Sequence, residues 1–284
     1  MNLVRNIFFF FILYMGLFSG VVWAEDDLPF PIETIKAALA ERAISQGPES
    51  SLLTRSPWGP GMYRQTVDAV VLILLPGEVA GKVKVGSGVI VARTGVIITN
   101  WHVVKNYQLP AIIFRPQPPK TLNDWTEADI WRAKVLVTYP EKDLAFLKLE
   151  QSYTGSKIFP PFAVIQLENP DKLMVGQDVF AIGHPQELGW TYTECVISQI
   201  RPGFLWGMDG RKFRATVLQT QTDISFGSSG GPLINSEGKM VGIISTMMEG
   251  RAGFNLAISA HEIFEHLSHL QPKDTEQQEI KKSS

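Results

Sequence analysis

Twelve short runs rich in Val, Ile, Phe and Thr, parted by turn signals, constrain the fold of this chain more than any other feature. They are Val67–Leu75, Val83–Ala92, Gly95–Asn100, Ala111–Phe114, Ala133–Val137 and Leu144–Leu149, then Phe162–Ile165, Asp178–Ile182, Tyr192–Ile200, Phe213–Gln219, Lys239–Ser245 and Gly253–Ile258. β-Branched and aromatic residues fit a pleated, half-buried surface, and many of these runs alternate in polarity. Short strands at near-regular spacing with little helix between them predict an all-β barrel or sandwich. Six runs fall on each side of Pro160-Pro161, so the pattern predicts two six-stranded antiparallel barrels side by side, divided near residue 160. At 284 residues and 45% hydrophobic side chains, the chain can bury cores of that size.

The flanks are different in kind. Residues 1–24 read as a signal peptide: Arg5 gives a positive start, Ile7 to Leu17 an apolar run, and Val22-Trp23-Ala24 a small-residue cleavage site before three acidic residues. Ile7 to Ala24 also just reaches the length of a membrane span. Cleaved, the segment makes the protein periplasmic or secreted; uncleaved, it anchors it to a membrane. Residues 25–65 form an N-terminal extension, with a short helix expected over Glu33–Ser45 and a Pro/Ser/Gly-rich loop from there to Gly61. Its aromatic residues Phe30, Trp58 and Tyr63 are candidate packing anchors, on the same domain or on a second copy in a homo-oligomer. Residues 66–260 are the barrel domain. Residues 261–284 hold the end of an amphipathic helix, which begins at Ala260, and a charged tail.

Composition removes several classes of function. A formal charge of −2 and no basic run leave no footprint for nucleic acid. The single cysteine, Cys195, excludes an intrachain disulfide, and its apolar-alternating surroundings predict a buried, inert thiol. His261, His266 and His269 on the terminal helix lack a completing Cys or carboxylate motif; they read as a solvated helix face, with no metal and no cofactor expected.

Chemistry concentrates at three places. Gly227-Ser228-Ser229-Gly230-Gly231 sets a hydroxyl among glycines that allow tight turns and close approach of a substrate. Taken locally, it is either a Gly/Ser turn between strands or a nucleophile tip with backbone N–H groups of Gly227 and Ser229 converging into an oxyanion hole. His102, just after the apolar strand Gly95–Ile98, is a candidate base or a structural histidine. Asp143, at the start of Leu144–Leu149, is a candidate orienting carboxylate or the end of a turn at Pro140. Together they run His102, Asp143, Ser229, the chain order of the chymotrypsin-type triad, with His and Asp in one half and Ser in the other, as a cleft between two barrels requires. G-S-S-G-G also fits the nucleophile elbow of esterases, which needs a helix directly after the serine. Gly230-Gly231-Pro232 and the strand-like run after it make a poor start for one.

T-N-W-H-V-V, D-L-A-F-L-K-L and G-S-S-G-G-P-L resemble the three catalytic blocks of trypsin-like serine proteases of the HtrA/Deg type. Gly86-Ser87-Gly88 before the His block, Val179 to Pro185, Leu218-Gln219-Thr220 and Gly253 to Ile258 are similar to that family's strands, so the resemblance runs from about Val67 to Ser259. It implies the trypsin-like two-barrel fold and hydrolysis of peptide bonds in protein or peptide substrates. His102 would be the base, Asp143 its orienter and Ser229 the nucleophile, with no cofactor. The alternative is a catalytically silent protease fold that binds peptides or acts as a scaffold.

The chain departs from that family in four respects. The family's PDZ modules are expected to be absent after Ser259. His184 stands where the family usually has Asn after Ile-Gly, and no catalytic part is assigned to it. Ser228 stands where the family commonly has Asn and trypsin has Asp; it cannot hold an ion pair with a newly cut N-terminus. Asp223 lies six residues before Ser229, the position that floors the S1 pocket in trypsin-like enzymes, where Asp selects Lys or Arg. Asp223 could equally pair with Arg214, face water, or align with the family's own Q-T-D outside S1.

Overall fold

The computed structural model describes residues 33–34, 59–77, 83–117, 120, 126–185, 189–221, 227–247 and 254–267. Two closed six-stranded barrels hold all the named strands. The first runs β1 (Val70–Pro76), β2 (Val83–Ala92), β3 (Val96–Thr99), β4 (Ala111–Ile113), β5 (Ile130–Tyr139) and β6 (Leu144–Ser152), paired in the order 1-2-3-6-5-4. The second contains β7 (Asp178–Gly183), β8 (Thr191–Met208), β9 (Arg211–Thr220), β10 (Pro232–Asn235), β11 (Met240–Met247) and β12 (Asn255–Ser259), paired 10-11-12-9-8-7. Every ladder is antiparallel.

Period-two alternation assigns the two faces of each strand. On β1, Val71, Ile73 and Leu75 join an apolar cluster of the first barrel, with Ile90, Ile97 and Leu147. Val70, Leu72 and Leu74 join a second cluster that crosses between barrels to Ile182, Ile234 and Ile258. A third cluster, with Val179, Leu218 and Val241, belongs to the second barrel alone. Because β1 is buried on both faces, it reads in sequence as a continuous apolar run rather than an alternating one. The shared cluster fixes one barrel against the other, and the site described below lies at that junction.

Three expectations are corrected. Phe162–Ile165 forms no strand; its place among the twelve is taken by β10, directly after the glycine run. With both barrels closed there is no edge for a further strand to join. The connecting chain instead straps the barrels, Ala163 N donating to Asp68 O, Ile165 N to Ile90 O, and Met240 N to Gln166 O. Second, the end of the expected loop is helix α1 (Gly59–Thr66). Its Tyr63 hydroxyl donates to Trp190 O at 3.0 Å, and its ring meets Tyr192 edge-on, so this part of the extension anchors on the chain's own second barrel. Third, Cys195 is only half-buried, on β8 opposite Val179.

Residues 1–32 and 268–284, which include the signal segment, Phe30, His269 and the charged tail, lie outside the described residues. So do Trp58 and all of the expected Glu33–Ser45 helix except its helical start, Glu33-Thr34. Among the described residues no helix is long and apolar enough to cross a membrane. The terminal helix, α3 (Ala260–Leu267), forms as expected. His266 is not a solvated member of it: the imidazole stacks on Tyr139 with ring centroids 3.8 Å apart. Glu262, Glu265 and His266 can bring one ligand atom each within 4.8 Å of one another. Glu262 is already engaged, accepting from Thr216 N at 2.6 Å and lying 2.8 Å from Lys142 Nζ.

Candidate active site

His102 sits in a single helical turn, α2 (Trp101–Val104), that leaves the end of β3. Gly86 makes room for this turn: a Cβ there would lie 2.5 Å from Val103 Cγ1. Lys84 Nζ caps the turn, donating to the carbonyls of His102 (2.8 Å) and Val103 (3.3 Å). Asn100, which precedes the turn with extended backbone, turns its side chain away from capping it. Its Nδ2 donates to Asp143 O at 3.1 Å and so ties the start of β6 to the end of β3.

Asp143 follows a 3₁₀ turn, Pro140–Lys142, in the left-handed conformation (φ 56°, ψ 41°) that Asp tolerates better than most residues. Its carboxylate is fully buried and accepts three donors. The His102 amide reaches Oδ1 at 3.0 Å, His102 Nδ1 lies 3.0 and 2.9 Å from the two oxygens, and Ser245 Oγ donates to Oδ2 at 2.7 Å. With Nδ1 donating, the free nitrogen of the ring, Nε2, is left to act as a base.

Ser229 lies in the turn before β10, and a strand, not a helix, follows it, which excludes the nucleophile elbow. Its hydroxyl donates to Ser245 O at 2.9 Å; among the described residues no hydrogen bond joins it to His102. Ser245, on β11, thus touches both ends of the set, donating its hydroxyl to Asp143 and accepting from Ser229 at its carbonyl. The sequence reading did not single it out. The turn is held rigidly. Gly230 has φ +87°, and a Cβ on it would lie 2.0 Å from Ser87 O and 2.3 Å from Thr99 Oγ1, so only glycine fits between nucleophile and first barrel. Ser87 N donates to Ser229 O (2.8 Å) and Gly230 N to Ile244 O (2.8 Å). Among the described residues the amides of Gly227 and Ser229 donate to no partner. Asp223 falls in 222–226, outside the described residues.

Beside His102 a groove of about 610 Å³ opens between α2 and the tip of the β8–β9 hairpin. The tip is Asp209-Gly210, both with positive φ (50° and 71°), as a two-residue type I′ turn requires. Arg211 lies over the Trp101 ring at 4.4 Å, Trp101 packs on Phe213, and Lys105 reaches Asp209 at 3.3 Å.

His184 is wholly buried, and that burial pushes its pKa down to about 3. The unfolded chain binds a proton at this residue near pH 6.5 while the folded one does not. Stability from the neutral ring is therefore complete above pH 6.5 and is lost as pH falls toward 3, by up to about 1.4 kcal/mol per pH unit. Urea unfolding of the wild type and His184→Asn between pH 7 and pH 4.5 checks this: the wild type should lose stability more steeply. Parallel curves would contradict it.

A family model for a trypsin-like peptidase domain matches residues 86–243, more than half of the chain. Among relatives, "Protease Do-like 1, chloroplastic" of Arabidopsis thaliana is 36% identical over 158 residues, covering 56% of this chain and 32% of that protein. The "Probable periplasmic serine endoprotease DegP-like" of Pseudomonas fulva is 31% identical over 218 residues, covering 75% of this chain and 35% of that one. The chain thus spans about a third of the length of these relatives. A solved HtrA-type protease, AlgW, described with a tripeptide, superposes with a TM-score of 0.60 at 22% identity, covering 77% of this chain and 64% of its own; it shares the fold.

Proposed function

Since the chain belongs to the trypsin-like peptidase family, we propose that it is a serine endopeptidase that cleaves proteins through an acyl-enzyme, with His102, Asp143 and Ser229 as its triad. The observation that carries this reading is the buried Asp143 carboxylate holding His102 Nδ1, with Ser245 joining that carboxylate to the Ser229 hydroxyl.

Attack requires the Ser229 hydroxyl to leave the Ser245 carbonyl, by rotation about χ1, for His102 Nε2. Oγ then attacks the peptide carbonyl while Nε2 takes its proton, and Asp143 stabilises the resulting imidazolium. The Gly227 and Ser229 amides receive the oxyanion; loss of one such donor costs about 10²–10³ in rate. Nε2 passes its proton to the leaving amine, and water repeats the sequence to free the acid and Ser229. The groove between α2 and the tip of the β8–β9 hairpin receives the substrate chain on the His102 side. The amino-terminal segment directs the protein out of the cytoplasm, in keeping with relatives named periplasmic, and its substrates are extracytoplasmic proteins.

Incubation of the purified protein with an unfolded protein substrate, followed by mass spectrometry of the products, tests the reading. New internal termini that depend on Ser229 support it; an intact substrate overturns it in favour of a silent, peptide-binding fold. The same termini report the S1 pocket. If Asp223 floors it, cleavage follows Arg and Lys in preference to Val and Ala, and Asp223→Ser erases that order, at least tenfold for loss of one partner of a buried charge pair. A Val or Ala preference unmoved by Asp223→Ser removes Asp223 from S1.

A further inference from the structure

Behind the nucleophile turn lies a buried histidine that the triad does not use. His184 follows β7 at the junction of the barrels, its ring edge-on to Trp190 with centroids 4.9 Å apart. Its Nδ1 is 2.8 Å from Ser87 Oγ, and that hydroxyl donates to Gly227 O at 2.7 Å. Ser87 has one hydrogen, committed to the Gly227 carbonyl, so its contact with His184 must be one in which the ring donates. The tautomer is thereby fixed as Nδ1–H. The other nitrogen, Nε2, is buried and has no hydrogen-bond partner among the described residues. Leaving a buried acceptor unpaired costs free energy, and such exceptions call for a reason.

The reason lies at the far end of the chain of bonds. Nδ1–H donates to Ser87 Oγ, and Ser87 Oγ–H donates to Gly227 O, on the peptide between Gly227 and Ser228. That peptide stands between the two amides, of Gly227 and Ser229, that have no partner among the described residues. Gly227 has φ +97° and no side chain to restrain it, so its orientation depends on what holds its carbonyl. Ser87 holds the turn at two points, its amide on Ser229 O and its hydroxyl on Gly227 O, and its own carbonyl is fixed by Thr99 Oγ1 at 2.7 Å.

We infer that His184 and Ser87 are positioning residues that lock the Gly227–Ser228 peptide, so that the Gly227 and Ser229 amides face the oxyanion before substrate arrives. This rests on the endopeptidase reading above. An Asn side-chain NH₂ stands about where His Nδ1–H stands and can make the same donation, whereas an apolar residue cannot.

The activity arm compares Ser87→Ala, His184→Leu and His184→Asn. Misplacing an oxyanion donor by about an ångström lowers turnover by about 10²-fold. Ser87→Ala and His184→Leu should each lower kcat by about that factor with KM within about twofold. Binding of a peptide aldehyde, whose hemiacetal oxygen uses the same amides, should weaken by the same factor. His184→Asn should stay within about threefold of the wild type. Kcat must be counted per site titrated with a fluorophosphonate. A lower titre with unchanged kcat per titrated site would mean that the pair only supports folding, and overturns the inference. A wild type that hydrolyses nothing overturns the endopeptidase reading instead. The ring tautomer, read from long-range ¹⁵N–¹H spectra of the wild type, decides independently of activity. A proton on Nδ1 supports the relay; a proton on Nε2 would mean that Ser87 donates to His184 and not to Gly227, and overturns it.

Discussion

Ser229→Ala should lower peptide hydrolysis by about 10⁴-fold or more and abolish covalent labelling by a fluorophosphonate, with folding intact. The side chain is small and half-buried, its one described side-chain bond is to the Ser245 carbonyl, and the turn around it is held by backbone contacts that the substitution leaves in place. His102→Ala should cost about as much, because nucleophile and base act as a unit and losing either removes the same step. The double variant should therefore be scarcely worse than either single one. A residual rate above that of water is expected in all three, from the oxyanion amides and substrate binding alone. Labelling that survives in Ser229→Ala would place the nucleophile elsewhere. Labelling of the wild type that survives unchanged in His102→Ala would remove His102 as the base.

The parts of this site that were legible in the sequence are those set by local chemistry. Glycines around Ser229 announce a backbone that must pass within van der Waals reach of something, and Gly230 against Ser87 O is that contact. Asp143 at the head of an apolar run announces a charge with a reason to be buried. Ser245 was invisible for the opposite reason. It is one residue of an ordinary strand, and its role comes from β11 passing beside an aspartate 102 positions away in sequence. His184 was visible as a departure but not as a part, because its partner, Ser87, is 97 residues distant and in the other barrel.

The strand errors have a similar cause. The β8–β9 hairpin runs to Met208 and resumes at Arg211, whereas the pattern placed its strands at Tyr192–Ile200 and Phe213–Gln219. Pro202-Gly203 reads as a turn. In the structure it is a bulge, with a register shift between Arg201 and Phe204 and Gly203 at φ +57°. Asp209-Gly210 was the turn signal that could have corrected this, and it matters because this tip carries Arg211 and Asp209 to the groove beside His102. Phe162–Ile165 was misjudged because a β-prone composition forms a strand only where a sheet offers an edge.

Asp143→Asn should be nearly as damaging as loss of the nucleophile, lowering kcat by about 10⁴-fold near neutral pH with little change in KM. The carboxylate is an acceptor for three donors at once: the His102 amide, His102 Nδ1–H and Ser245 Oγ–H. An amide in its place has only one oxygen and must turn its NH₂ toward one of the two side-chain partners, since two N–H groups cannot replace an oxygen. If NH₂ faces Ser245, that hydroxyl can rotate and accept, and the cost is small. If it faces His102, the imidazole must accept at Nδ1 and carry its proton on Nε2, which is then no base for Ser229. The backbone amide of His102 points at Oδ1, and it decides between the two by keeping the remaining oxygen on that side. That leaves the NH₂ group at Oδ2, which both His102 Nδ1 and Ser245 approach, at 2.9 and 2.7 Å. Nδ1 lies 2.9 Å from that NH₂ and 3.0 Å from the oxygen kept at Oδ1, and accepting from the nearer donor drives the ring to the wrong tautomer. Activity should recover as pH rises to the point where hydroxide can take the serine proton without the ring. Ser245→Ala, which removes one donor and leaves the carboxylate, should cost far less, on the order of 10-fold from loss of a hydrogen bond to a charged group. A pH–rate profile of the three proteins separates the cases. An Asp143→Asn enzyme within about tenfold of the wild type at pH 7 would mean that another group orients His102.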